Sequence, residues 1–128
     1  MKKILLLVIT GVIMLGCGKR LNINDIKDKE FILTNPLGEF NITLKVEDNG
    51  NINGFSGVNR YMGPAEIKDG KIKVGNLAGT MMAGPEDNMK AENEFKKMLF
   101  EADTVEYKDG KLTIKLKDGK TLEFKETK

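Results

Sequence analysis

The 128-residue chain contains no histidine, no tryptophan, three prolines and a single cysteine, Cys17. Without imidazole or a second thiol, Ser-His-Asp and Cys-His catalysis, imidazole zinc ligation and intramolecular disulfides are excluded. The fold must rest on packing and hydrogen bonds. Aromatic residues make up 6% of the chain, and the 21 basic residues are nearly balanced by 19 acidic ones. With no basic stripe and few aromatic side chains on which bases could stack, nucleic-acid binding is not expected. A carboxylate pair can work as acid and base without histidine. Here, however, Asp69, Asp109 and Asp118 fall in turns, Glu92 and Glu101 on a helix surface, and Glu106 and Glu123 at outward strand positions. They read as solubilising charge, so no enzyme, cofactor or metal site is expected. Met62, Met81, Met82, Met89 and Met98 invite a Cu(I) thioether site, but the expectation is that they fill the core.

What is present begins at the amino terminus. Lys2-Lys3, an apolar run from Ile4 to Leu15 broken only by Thr10 and Gly11, and then Gly16-Cys17 read as an export signal. The run is too short to span a bilayer. Met14-Leu15-Gly16-Cys17 resembles a bacterial lipobox, so residues 1–16 are expected to be a signal peptide, Cys17 the lipid attachment, 17–24 a lipidated tether, and 25–128 one domain. Removing Lys2 and Lys3 leaves 19 basic residues against 19 acidic. The expected location is the cell envelope, anchored by lipid. If two membranes exist, Gly18 after Cys17, in place of an aspartate, favours the periplasmic face of the outer membrane.

Turn chemistry punctuates the rest. Glu30-Phe31-Ile32-Leu33 reads as a strand ended by Asn35-Pro36-Leu37-Gly38. Phe40, Ile42, Leu44 and Val46 then alternate with polar residues, the pattern of a half-buried strand. Asp48-Asn49-Gly50-Asn51 predicts a type I′ hairpin turn, and Lys-Asp-Gly-Lys at 68–71, 108–111 and 117–120 predicts three more. One helix is expected: Pro85 at its first position, Glu86 and Asp87 at the positive end of its dipole, and Met89, Ala91, Phe95, Met98, Leu99 and Ala102 as its apolar stripe. About eight short strands and one helix make a small, mainly β domain.

The chain is organised around Gly54-Phe55-Ser56-Gly57-Val58-Asn59-Arg60-Tyr61-Met62-Gly63, followed by Ala78-Gly79-Thr80-Met81-Met82-Ala83-Gly84. The glycines imply bends or close backbone approach. Arg60, one of two arginines in a lysine-rich chain, is a planar donor with room for a specific partner. The pattern G-x-x-G-x-N-R-Y-x-G, then T-x-M-A, a helix with Glu94-Phe95 and Leu99, and Gly110-Lys111-Leu112-Thr113 resembles the META domain of HslJ-type bacterial lipoproteins over roughly residues 24 to 125. Many family members carry cysteines where this chain has Val58 and Gly84, and a tryptophan at Phe31.

The resemblance implies a small antiparallel, partly closed barrel-like sheet built from hairpins. It also implies an envelope lipoprotein without catalysis, associated with heat stress and novobiocin tolerance. Asn59, Arg60, Tyr61, Thr80 and Met81 have two readings. They are a recognition patch for an envelope protein or small ligand, or they are scaffold, with Asn59 holding a bend and Tyr61 capping the core with its hydroxyl in water. The leading expectation is a membrane-tethered binding protein. The alternatives are a small periplasmic inhibitor of a lytic enzyme or protease, and a carrier of a small apolar ligand.

Overall fold

The computed structural model describes residues 21–127. The signal segment 1–16 and Cys17 lie outside them. Among the described residues ten strands occur in the order β1 (Glu30–Asn35), β2 (Thr43–Val46), β3 (Ile52–Phe55), β4 (Arg60–Gly63), β5 (Ala65–Lys68), β6 (Lys71–Val74), β7 (Ala78–Gly79), β8 (Ala102–Lys108), β9 (Lys111–Leu116) and β10 (Thr121–Glu126). The helix α1 (Glu86–Phe100) falls between β7 and β8. Every neighbouring pair is antiparallel, in the order β5-β6-β8-β9-β10-β1-β2-β3-β4-β7. The sheet curls into a half-barrel. The mainly β, barrel-like architecture with one helix is thus the observed one, with ten strands where about eight are legible from alternation.

The helix fills the concavity. Alternation puts Phe31, Leu33, Leu44, Ile52, Tyr61, Leu112, Ile114, Leu122 and Phe124 on the inner face, all at most 1% exposed. Phe95 on α1 is fully buried among them. Its ring lies edge-on to Tyr61 at 5.7 Å and to Phe124 at 6.5 Å between centroids. Since Tyr61 is on β4 and Phe124 on β10, one helical side chain ties together distant strands of the sheet. Burying an aromatic of this size contributes about 1.5–3 kcal/mol.

The hairpins follow their loop chemistry, and only two of the four expected type I′ turns form. Asp69 (φ 53°) with Gly70 (φ 80°) and Asp109 (φ 53°) with Gly110 (φ 79°) supply the paired positive angles that a two-residue type I′ loop requires. At the other two sites only Gly50 (φ 95°) and Gly119 (φ 93°) are left-handed. Their loops close as Glu47 N–H to Asn51 O at 2.8 Å and Leu116 N–H to Lys120 O at 2.8 Å, with three residues between. In both, the preceding side chain competes for the backbone: Asn49 Oδ1 accepts from Asn51 N–H at 3.0 Å and Asp118 Oδ1 from Lys120 N–H at 2.9 Å, an Asx turn that fixes the longer loop.

Two further expectations are corrected. The strand expected from Phe40 begins at Thr43, because Asn41 is left-handed (φ 58°) and Phe40 sits in a short 3-10 turn, Gly38–Phe40. Pro85 is the N-cap of α1 rather than its first residue, its carbonyl accepting from Met89 N–H at 3.0 Å. Leu21, the first described residue, is buried, its carbonyl accepting from Gly70 N–H at 2.8 Å.

Candidate functional site

The two glycine-rich segments meet on the β3–β4 hairpin and the strand β7 beside it. Gly54 lies directly opposite Tyr61. A Cβ on Gly54 would stand 2.2 Å from the Thr43 carbonyl oxygen, so only glycine allows β3 this approach. The Tyr61 hydroxyl donates to the same carbonyl at 2.8 Å. The phenol therefore crosses above Gly54 to the next strand but one. Tyr61 is fully buried, and burial pushes its pKa far above the ordinary phenol value despite the Arg60 charge nearby. Its hydroxyl is thus not in water, as the scaffold reading had it, and the ring presents no surface to a partner.

Between the strands, Ser56 N–H donates to Asn59 O at 2.8 Å, and Gly57 (φ 126°) turns the chain against the helix. Here Glu92, expected on the wet face of α1, is 7% exposed. Its Oε1 accepts from Ser56 Oγ at 2.8 Å, Val58 N–H at 3.0 Å and Asn59 N–H at 2.7 Å, and its Oε2 from Asn59 Nδ2 at 2.9 Å. Lys96 Nζ stands 3.9 Å from Oε2. Burial alone would raise the Glu92 pKa, but the hydrogen bonds from Asn59, Ser56 and Val58 outweigh it and bring it down to about 2. The carboxylate is ionised and saturated with donors.

Asn59 carries the connection onward. Its Nδ2 also donates to Met82 O at 3.1 Å, while its Oδ1 accepts from Met82 N–H at 2.7 Å and from Thr80 Oγ1 at 2.9 Å. Thr80 Oγ1 in turn accepts from Arg60 N–H at 3.2 Å, and Thr80 N–H donates to Arg60 O at 3.1 Å. At 5% exposure, with every polar atom of its amide engaged, Asn59 is a rivet between the hairpin, the segment after β7 and α1.

Of the five candidate residues, the structure therefore brings all into one neighbourhood but divides their roles. Asn59 and Tyr61 are buried, whereas Arg60, Thr80 and Met81 face solvent. Arg60 and Met62 point outward from β4, on the side opposite Tyr61. Met62 is 53%, Met82 60% and Met81 93% exposed. The methionines are thus not core filler: Met89 is also exposed, and only Met98 packs against the core. The result is an outward surface carrying exposed thioether chains and one guanidinium, on backbone held from beneath by Asn59, Thr80 and Glu92. Among the described residues no cluster of three or more acidic or thiol ligands exists for a metal.

Glu92 was the residue that sequence reasoning placed wrongly. It stands three before Phe95 and seven before Leu99, on the buried side of the helix. A carboxylate at that spacing, in line with the apolar stripe of the helix, was the available signal.

The family model for the META domain matches residues 24–128. This chain belongs to the META domain family. An NMR structure of a protein from Burkholderia xenovorans is 27% identical, with a TM-score of 0.67 over 81% of this chain and 85% of that one. A second NMR structure is 22% identical, with a TM-score of 0.65 over 82% of this chain and 94% of its own. The crystal structure of a duf4847 family protein from Bacteroides vulgatus, 13% identical with a TM-score of 0.61 over 80% and 95%, shares the fold. A search of curated proteins gives no match. In this META domain the positions that carry cysteines in the implied family pattern are in contact: a Cβ built on Gly84 lies 3.5 Å from Val58 Cβ.

Proposed function

We propose that this META-domain protein is a lipid-anchored bacterial envelope protein that acts without catalysis, binding an envelope partner through the surface around Arg60, Met62, Thr80, Met81 and Met82 in heat-stress or novobiocin-type tolerance. The anchor reading is supported by the apolar run ending in Gly16-Cys17. The binding reading is carried by one observation: three methionines, each more than half exposed, lie on the same two adjoining segments as exposed Arg60, whose backbone is pinned by the Asn59–Glu92 hydrogen bonds. Exposed apolar clusters of this kind mark interaction surfaces, methionine adapts to partner shape, and arginine is a frequent anchor of binding energy. A rigid base also reduces the ordering cost of association.

The test pairs stability with function. Arg60 contributes its backbone, not its side chain, to the hydrogen bonds described above. Arg60→Ala is therefore expected to change unfolding free energy by no more than about 0.5 kcal/mol, the range of ordinary surface substitutions. At matched expression it is expected to lose protection against heat or novobiocin. A variant that unfolds early and loses function only in proportion to its abundance contradicts the binding role.

A further inference from the structure

A second surface lies at the other edge of the sheet. Strands β6 and β8 pair only at Lys71 with Thr104. Beyond that point, between Ile72–Val74 and Ala102–Asp103, an open groove of about 600 Å³ appears. Its apolar lining includes Ile72, Val74 and Phe100, and Phe100 is 53% exposed at the C-terminal end of α1. Around it stand Lys68, Lys71, Lys73 and Lys117, against Glu66 and Asp103, the last already 3.8 Å from Lys71. The groove thus combines a rim in which lysines outnumber carboxylates with an exposed aromatic ring.

The chain path fixes what faces this groove. Leu21 is buried and its carbonyl accepts from Gly70 N–H, while Asn22 Oδ1 accepts from Asp69 N–H at 3.2 Å. The described chain therefore begins at the β5–β6 turn, whose flanking lysines, Lys68 and Lys71, line the groove. Cys17 is four residues upstream, a reach of at most roughly 14 Å. The residues between include Lys19 and Arg20. A domain of this size has a radius of gyration of about 13 Å, so so short a tether holds the β5–β6 edge near whatever Cys17 is attached to.

We infer that the Phe100 groove docks on an anionic phospholipid surface, the lysine rim contacting headgroup phosphates and Phe100 entering the interfacial layer. Basic segments next to a membrane anchor are drawn to anionic headgroups, and aromatic rings partition to the interface. The inference rests on the lipid anchor at Cys17. Its consequence is an orientation: the groove sits against the bilayer, and the Arg60 surface, at the start of β4 and so at the far end of the β4–β5 run from the β5–β6 turn, stays free for its partner.

The chain lacks tryptophan, so a single introduced indole reports its own surroundings. Full-length lipidated Phe100→Trp and Met81→Trp proteins are reconstituted into phosphatidylcholine vesicles with and without phosphatidylglycerol, using brominated acyl chains as quenchers. In the anionic vesicles the indole at position 100 should shift to the blue and be quenched. It should lose both effects in phosphatidylcholine alone, in high salt, or when Lys71→Glu and Lys73→Glu are added. The indole at position 81 should be neither shifted nor quenched. Vesicle flotation reads the anchor separately. Protein that floats with an unquenched indole at position 100 overturns the docking while leaving the anchor standing, and points to a protein occupant of the groove. Equal quenching at both positions, or quenching indifferent to lipid charge, also overturns it. Failure to float removes the anchor and the orientation together.

Discussion

Replacing Glu92 by glutamine keeps the shape of the side chain and removes its charge. Four protein donors converge on the carboxylate, three of them on one oxygen. The glutamine carbonyl can replace that oxygen, but its amide then faces the Asn59 amide, donor against donor. The magnitude follows from linkage. The folded-state pKa is about 2 against an ordinary value of 4.5, and each unit is worth about 1.4 kcal/mol. The ionised carboxylate therefore contributes on the order of 3 kcal/mol at neutral pH. Because the folded value is depressed, this stability is fully present above pH 4.5 and is lost as pH falls through about 2. Glu92→Gln should cost about 3 kcal/mol at pH 7, a fall in melting temperature of roughly 12 °C or more for a domain of this size. Urea unfolding of both proteins from pH 7 to pH 2 isolates the term, since carboxylates such as Glu126 titrate equally in both. The difference between the two curves should shrink toward zero at the acid end. A variant within about 0.5 kcal/mol of the parent at pH 7, or a difference that does not depend on pH, refutes the assignment of Glu92 as an ionised clasp.

Two further substitutions probe the same neighbourhood. Val58→Cys with Gly84→Cys should oxidise spontaneously, since the Cβ separation of 3.5 Å lies in the disulfide range. Closing this loop should raise stability by about 3.5 kcal/mol on the chain-entropy model; free thiols persisting in the folded protein after mild oxidation contradict the contact. Gly54→Ala should destabilise by about 3 kcal/mol or more, because a methyl group 2.2 Å from the Thr43 carbonyl must separate β3 from its neighbour. Equilibrium unfolding measures the loss, and an alanine variant of parental stability shows that the strands are not held this close.

Local chemistry carried much of the fold into the sequence. The Asp-Gly pairs at 69–70 and 109–110 announced their turns because the angles they favour are the angles the hairpins use. The same dipeptide at 118–119 did not, since the Asp118 side chain found the Lys120 amide and a three-residue loop resulted. The helix was legible from Phe95 and Leu99. Glu92 was not, because its donors come from a hairpin more than thirty residues away, such as Ser56 with a separation of 36. A charge on a helix reads as solvated until those donors are placed. The candidate segment was legible in outline, since Asn59, Arg60 and Tyr61 are consecutive in the sequence. Their division into rivet, exposed cation and core ring depends on which strand face each occupies. Exposure of Met62, Met81 and Met82 was hidden for the same reason, since composition counts apolar residues without saying which side of a strand or loop they occupy.

The position of β10 shapes how the molecule comes into being. The last strand lies between β9 and β1, so it is the seam joining β1-β2-β3-β4-β7 to β5-β6-β8-β9. Thr127, bonded to the Glu30 carbonyl across 97 positions of sequence, closes its far end. A polypeptide delivered amino terminus first can form its separate hairpins early, but its sheet becomes one piece only when Thr121–Glu126 has arrived. Pairing that spans nearly the whole chain is slow to form. Until then the inner face has no continuous floor for Phe95.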